Sequence, residues 1–586
     1  MKKIIFLLFL ITTVSFAQQS NNYRVHSHND YFQNVPFWKA VSAGATSVEA
    51  DVFLVDEKLL VAHDKHELKA NRNLEELYLN PLVKSLKVTN LGEKPFQLLL
   101  DIKSEAYTTL DAIVTTLKMY PALINNENLS IVISGNRPKV EDYINYPEFI
   151  HFDYQSLDTI SDASILNKIA LVSLSFKKFS FWNGKGRLTA EDLTKVSIAI
   201  DRAHALGKPF RFWATPDSKT AWKAMVNLGV DFINTDMPFN CVAYVQKLDK
   251  SVVQNSQFSE VYKPSFASDQ KDNEVENVIL LIGDGNGITQ ISATSLANNG
   301  ELSLTKLKSI GFLKTQSSDD FTTDSAAAGT ALATGEKVPN RAIGVDANGS
   351  PIENLTELLS RKKFVSGIVT TDNVAGATPS SFYAHQKDRD MSDEIGKDLV
   401  NSKISFFVSR GLWDANTNKN IDSFEMMPSL ESLGSSKKKR LSYLMNDNSE
   451  LASAAKNTLR YLKSSKKQFF LMIEGAKIDS YGHENDISGV IRESIQFDRA
   501  IAEALKFADQ NPKTLVIITA DHETGGLTIP QGNIENHEIE GEFSTRDHTA
   551  VMVPIFAYGP RSNEFQGVYE NNLVFSKILK VLEIQP

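Results

Sequence analysis

A chain of 586 residues is too long for one ordinary hydrophobic core and predicts two or three domains. Its 42% hydrophobic and 23% charged residues are globular composition, and a net charge of −9 argues against the concentrated Lys/Arg footprint that nucleic-acid binding needs. The single cysteine, Cys241, excludes an intramolecular disulfide and leaves stability to packing and bound metal.

The N-terminus has Lys2-Lys3, an apolar run over residues 4–14, and then Ser15-Phe16-Ala17. A basic start, an apolar centre and small residues at the end make a secretory signal, with cleavage expected after Ala17 and a periplasmic or secreted product. The apolar run falls short of the roughly 20 residues needed to span a bilayer, so no stable membrane insertion is expected.

From Tyr23 to about Lys247, short apolar runs at residues 98–102, 130–134, 169–174 and 231–234 alternate with helix-like stretches. Alternation of this kind predicts parallel strands with crossover helices, and residues 18–248 have the length of a (β/α)₈ TIM-like barrel. Chemistry then belongs at the C-terminal ends of the strands. His26 and His28 follow the first run; Glu49 and Asp51 are two apart and share a strand face; His63-Asp64 and Asp101-Ile102-Lys103 each end an apolar stretch. A purely structural polar group at such places would be costly to bury.

Taken in order, these segments resemble the glycerophosphodiester phosphodiesterase and phospholipase-C-like barrels over about residues 23–245. The resemblance implies that Glu49, Asp51 and Asp101 hold one Mg²⁺ or Ca²⁺, as oxygen ligands suit. His28 and His63 would be acid and base, with His26 the alternative to His28, and Lys103 would neutralise a phosphate oxygen. Arg211-Phe212-Trp213 and residues 229–236 look like the last two strands. Asn29-Asp30-Tyr31 departs from the Arg-Gly that usually follows the first catalytic histidine, which leaves the head group open.

Residues 249–273 turn polar and are expected to be a linker. A second α/β region then runs over residues 274–586, with strand-like stretches at 278–282, 366–371, 469–474, 514–520 and 553–558. The first ends in Gly283-Asp284-Gly285, a carboxylate framed by glycines at a sheet edge. In Thr323-Asp324-Ser325, followed by small residues, a hydroxyl stands at an expected helix start, where the helix dipole favours an anion; Ser325 fits a cap or a nucleophile. Glu474, Asp479 and His483 lie within ten positions, and the last two, four apart, can share a helix face. Asp521-His522 ends another apolar run, and His548 introduces a further one.

These segments resemble the alkaline phosphatase family across most of residues 275–586, which implies an alkaline-phosphatase-like α/β sandwich with a central, mostly parallel sheet. By that resemblance Ser325 is the nucleophile that becomes phosphorylated, beside Asp324. Asp479, His483 and His548 would bind one Zn²⁺; Asp284, Asp521 and His522, completed by Ser325, a second; Thr378 and Glu474, sharing Asp284, a Mg²⁺. Arg389 would grip the phosphoryl oxygens. Gly376 departs from the family, whose better-known members place Asp or His there, near the magnesium. A homodimer is compatible with the resemblance.

A diesterase yields a phosphomonoester, the substrate class of the second region. The expectation is therefore an exported bifunctional hydrolase that takes small-molecule phosphodiesters to phosphomonoesters and then to inorganic phosphate. The rival reading makes the barrel a non-catalytic binding module for a lone phosphatase.

Overall fold

The structure is a computed structural model that describes residues 23–413, 421, 423–435 and 440–585. The expected signal and its cleavage point, Ala17, lie outside the described residues. The chain divides into two compact units between Leu248 and Asp249.

The first unit contains β1 (Arg24–Ser27), β2 (Ser47–Val55), β3 (Lys58–Val61), β4 (Phe96–Ile102), β5 (Leu129–Gly135), β6 (Ile150–Tyr154), β7 (Ile169–Ser175), β8 (Phe210–Trp213) and β9 (Phe232–Thr235). Eight of them form a parallel ring in the order β1-β9-β8-β7-β6-β5-β4-β2, closed by the pairing of β1 with β2. β2 carries Ser47, Glu49 and Asp51 on one face and Val48, Ala50 and Val52 on the other, the period of two that a strand imposes. All six are buried. Register places Asp51 opposite Asp101, and Asp101 opposite Ser134.

β3 differs from the sequence expectation that His63 ends a barrel strand. It pairs antiparallel with β2 outside the ring. Asp56 and Glu57 between the two strands both have positive φ, 47° and 62°, as a tight two-residue hairpin requires. The hairpin turns the chain back and brings His63 beside Asp51.

The second unit contains β10 (Val252–Gln254), β11 (Asn277–Gly283), β12 (Ser309–Lys314), β13 (Val365–Thr370), β14 (Phe406–Ser409), β15 (Glu425–Met426), β16 (Leu441–Leu444), β17 (Phe469–Gly475), β18 (Thr514–Thr519), β19 (Glu523–Thr524), β20 (Leu527–Asn533), β21 (Glu538–Phe543), β22 (His548–Thr549), β23 (Val553–Tyr558) and β24 (Gly567–Glu570). Ten of these make one sheet, β15-β16-β14-β13-β17-β11-β18-β23-β12-β24, in which only β23 runs antiparallel to its neighbours. Val278, Leu280 and Ile282 pack into a core on one face, and Ile279 and Leu281 into a core on the other. Burial on both faces explains the unbroken apolar runs in the sequence. The four central strands, β13-β17-β11-β18, are parallel, with Thr370, Glu474, Ile282 and Thr519 in register at their C-terminal ends. That edge receives the polar segments singled out in the sequence.

Residues 249–273, expected as a linker, belong instead to the second unit. β10 pairs with β21, and the polar residues that suggested a linker bond to carboxylates of this unit. Ser259 Oγ donates to Asp498 at 2.9 Å, and Tyr262 Oη and Ser265 Oγ donate to Asp509 at 2.6 and 2.7 Å. Among the described residues, no helix is long and apolar enough to cross a membrane.

Candidate metal and phosphoester sites

In the second unit, each strand end delivers part of one cluster. Asp284 follows β11, Glu474 lies near the end of β17, and Asp521 and His522 follow β18. Asp479 and His483 lie one turn apart on the helix Lys477–Glu484, as their spacing predicts. His548 opens β22, whose pairing with β19 holds it beside the segment after His522.

Two groups have ligand atoms all within 4.8 Å of one another: Asp479, His483 and His548, and Asp284, Asp521 and His522. In the first, the Nε2 atoms of His483 and His548 face each other at 3.1 Å, with Asp479 oxygens 3.3 and 3.5 Å away. In the second, His522 Nε2 is 3.4 Å from Asp284 Oδ1 and 3.2 Å from Asp521 Oδ2. The rings of His522 and His548 stack with centroids 3.5 Å apart and join the two groups.

Ser325 begins the helix Ser325–Thr334, with Asp324 as its cap accepting from the Ala327 N–H at 2.9 Å. The sequence left Ser325 as cap or nucleophile; the cap is Asp324. Ser325 Oγ is buried 3.2 Å from His522 Nε2. Arg389 reaches the same end, its Nη1 donating to Asp324 Oδ2 at 3.1 Å. Thr378, in the short helix Ala377–Ser380, is buried near Glu474, which accepts from Thr370 Oγ1.

The electrostatics suit cations. Burial, then Asp521 and Asp479, hold Asp284 well above the usual carboxylate range. Burial and Asp479 push Asp521 up to about 6, and burial and Asp372 push Glu474 up to about 8. Burial, with His548 next, lowers His522 to about 3, so it is a neutral ligand-type imidazole. The bond to Asp479 raises His483 to about 9. Three buried oxygens, Asp284 Oδ1, Asp521 Oδ2 and Thr378 Oγ1, have no hydrogen-bond partner. Leaving such groups bare costs about 1–3 kcal/mol each, more for a charge, and a bound cation would remove that cost. The donor sets fit: mixed imidazole and carboxylate for zinc, oxygen alone around Thr378 and Glu474 for magnesium.

The barrel site is arranged differently. Asp51 Oδ1 is buried without a partner, but Glu49, Asp51 and Asp101 do not converge as the other two groups do. Lys103 Nζ lies 3.0 Å from Asp51 Oδ2 and 2.6 Å from Asp101 Oδ2, bridging the carboxylates. Burial, then Glu49, pushes Asp51 up to about 6. His63 Nδ1 is 3.1 Å from Asp51 Oδ2, and His28 Nδ1 is 2.7 Å from Asp236 Oδ1. His26 is fully buried beneath them, near Glu49 and Arg211, and burial lowers it to about 3. Of the two, His28 stands at the open end.

Sequence reasoning missed three side chains of this site. Tyr31 Oη donates to Asp51 Oδ2 at 2.8 Å and lies 3.1 Å from His63 Nδ1. Asp236 partners His28, and Arg211 Nη1 donates to Glu49 Oε2 at 2.8 Å. Each stood in a segment recognised as a strand end, the signal that could have found it. Asp30, beside Tyr31, is structural: it accepts from Ser27 Oγ at 2.8 Å and the Phe37 N–H at 2.5 Å.

The sheet of the second unit and the metal-type clusters at its edge define a phosphoesterase of the kind that works with divalent cations. The family model for alkaline phosphatase matches residues 275–405 and 433–538. Alkaline phosphatase 4 of Bacillus subtilis is 31% identical over 379 residues, covering 58% of this chain and 81% of that protein. The chain belongs to the alkaline phosphatase family. Among solved structures, the alkaline phosphatase from the Antarctic bacterium TAB5 is 36% identical with a TM-score of 0.51, covering 54% of this chain and all of that one. A mutant of it with Mg bound in the M3 site is 35% identical with a TM-score of 0.50, over the same shares. In the first unit, a model for an AIM6-like phosphodiesterase domain matches residues 14–98, and one for the glycerophosphoryl diester phosphodiesterase family matches residues 209–238.

Proposed function

We propose that this chain is an exported bifunctional hydrolase whose barrel cleaves small phosphodiesters and whose second unit hydrolyses the resulting phosphomonoesters through a phosphoserine. One observation carries the phosphatase half: Ser325 Oγ lies 3.2 Å from His522 Nε2, whose imidazole stacks on that of His548 in the other ligand group. Asp479, His483 and His548 would hold one zinc, and Asp284, Asp521, His522 and Ser325 another. Asp284, Glu474 and Thr378 would hold magnesium. Bound there, these ions would lower the pKa of the serine hydroxyl and neutralise charge on the entering and leaving oxygens.

Ser325 Oγ attacks phosphorus as the P–O bond to the alcohol breaks, and water then displaces the serine from the phosphoryl group. The N–H groups at the start of the helix Ser325–Thr334 favour the anion. Arg389, paired with Asp324 at rest, can turn its planar guanidinium to two phosphoryl oxygens.

In the barrel, Glu49, Asp51 and Asp101 would hold one Mg²⁺ or Ca²⁺, displacing Lys103 toward the substrate phosphate. His28, oriented by Asp236, and His63, reached by Tyr31, would exchange protons with the attacking water and the leaving alcohol. The assay is hydrolysis of bis(p-nitrophenyl) phosphate. His63→Ala is expected to lower it about 10²–10⁴-fold with p-nitrophenyl phosphate hydrolysis unchanged. Unaltered diester cleavage would instead make the barrel a binding module.

A further inference from the structure

Gly376, two residues before Thr378, leaves a space without a side chain of its own, and the structure fills that space from elsewhere. A Cβ on Gly376 would lie 2.6 Å from Asp372 Oδ2, so the Asp372 carboxylate already stands where a side chain at 376 would begin. Gly376 has φ −56°, open to any residue; the conflict is one of space, not backbone. Two carboxylates cannot share the place without one moving.

Asp372 is held in position. It lies two residues past the end of β13, its N–H donates to Thr370 Oγ1 at 2.9 Å, and Thr370 Oγ1 in turn donates to Glu474. Lys477 Nζ lies 2.9 Å from Asp372 Oδ1, and the same ammonium feels Glu474 and Asp284. Thr378 Oγ1 and Asp284 Oδ1 are buried and unpartnered, which independently points to a cation among these oxygens. A cavity of about 520 Å³ opens on Asp372 and Lys477, lined also by Arg410 and Ser480 among others.

We propose that Asp372 supplies a carboxylate to the third metal site from the space that Gly376 leaves open, with Lys477 as its partner when the metal is absent. This rests on the reading that Asp284, Glu474 and Thr378 hold a divalent cation. Asp372 is a positioning residue by this account: it sets the affinity and identity of that ion and does not touch the reacting phosphoryl group.

The probe is Mn²⁺, titrated into the zinc-loaded full chain and followed by loss of the free-ion EPR signal. Asp372→Asn is expected to weaken Mn²⁺ binding about 10–100-fold, the usual cost of removing a group that supports a metal's ligands. The side chain is 38% exposed, so this change leaves folding intact. Supplying the carboxylate to the same space from position 376, in Asp372→Ala with Gly376→Asp, is expected to restore affinity to within about threefold of wild type. Unchanged affinity in Asp372→Asn, or no recovery in the double variant, overturns the proposal. Glu474→Gln separates the two levels: if it too binds Mn²⁺ normally, the underlying metal reading fails.

Discussion

Replacing Ser325 with Ala is expected to lower phosphomonoester turnover by at least about 10³-fold, since loss of a covalent nucleophile in a serine hydrolase costs up to about 10⁶-fold in kcat. The residual rate comes from the arginine and the metals, which still bind and polarise the ester. Phosphorus NMR makes the same variant informative about the barrel. Wild-type protein supplied with a glycerophosphodiester should end at inorganic phosphate, whereas Ser325→Ala should accumulate the monoester. Phosphate release at the wild-type rate would remove Ser325 from the mechanism. A cyclic diester that persists would mean that the barrel closes the substrate's own hydroxyl onto phosphorus instead of using water.

Chelation should abolish monoester turnover and also change how stability depends on pH. In the metal-free protein Glu474 is pushed up to about 8 by burial and then Asp372, and His483 up to about 9 by its bond to Asp479. Both folded-state values lie above the unfolded ones, so the native state binds more protons, and the stability they contribute falls as pH rises through 8 and 9. His522 runs the other way: lowered to about 3, it destabilises only below its unfolded value near 6.5 and is silent above it. The clean window is therefore pH 6.5 to 9. With the His483 share reduced for its 37% exposure, the metal-free melting temperature should drop by roughly 5–10 °C across it. Protein loaded with both zinc and magnesium should not show this drop, because the bound cations would hold Glu474 ionised and His483 neutral. A metal-free melting temperature that rises over this window would contradict the assignment.

Much of this molecule could be read before folding it. The strand runs at 278–282, 514–520 and 553–558 were visible because both faces of the sheet are buried, so apolar residues are contiguous. Asp479 and His483 were legible from spacing alone, since one helical turn fixes them on one face. Register between strands was not legible, and register is what sets Asp51 opposite Asp101. The hairpin that returns His63 was hidden for another reason: Asp56-Glu57 is not a turn pair that composition advertises, yet both residues take positive φ. Asp372 escaped because it lies past its strand end without flanking glycines, and its place is set by the space that Gly376 leaves open.

The misread segment before residue 274 matters for anyone wishing to study the phosphatase half alone. Cutting at 274 would strip β10 from β21, leaving an open strand edge of the sort that recruits other chains, and would remove the hydroxyls of Ser259, Tyr262 and Ser265 from Asp498 and Asp509. The seam lies at Leu248, and a fragment starting just after it carries its own buttress.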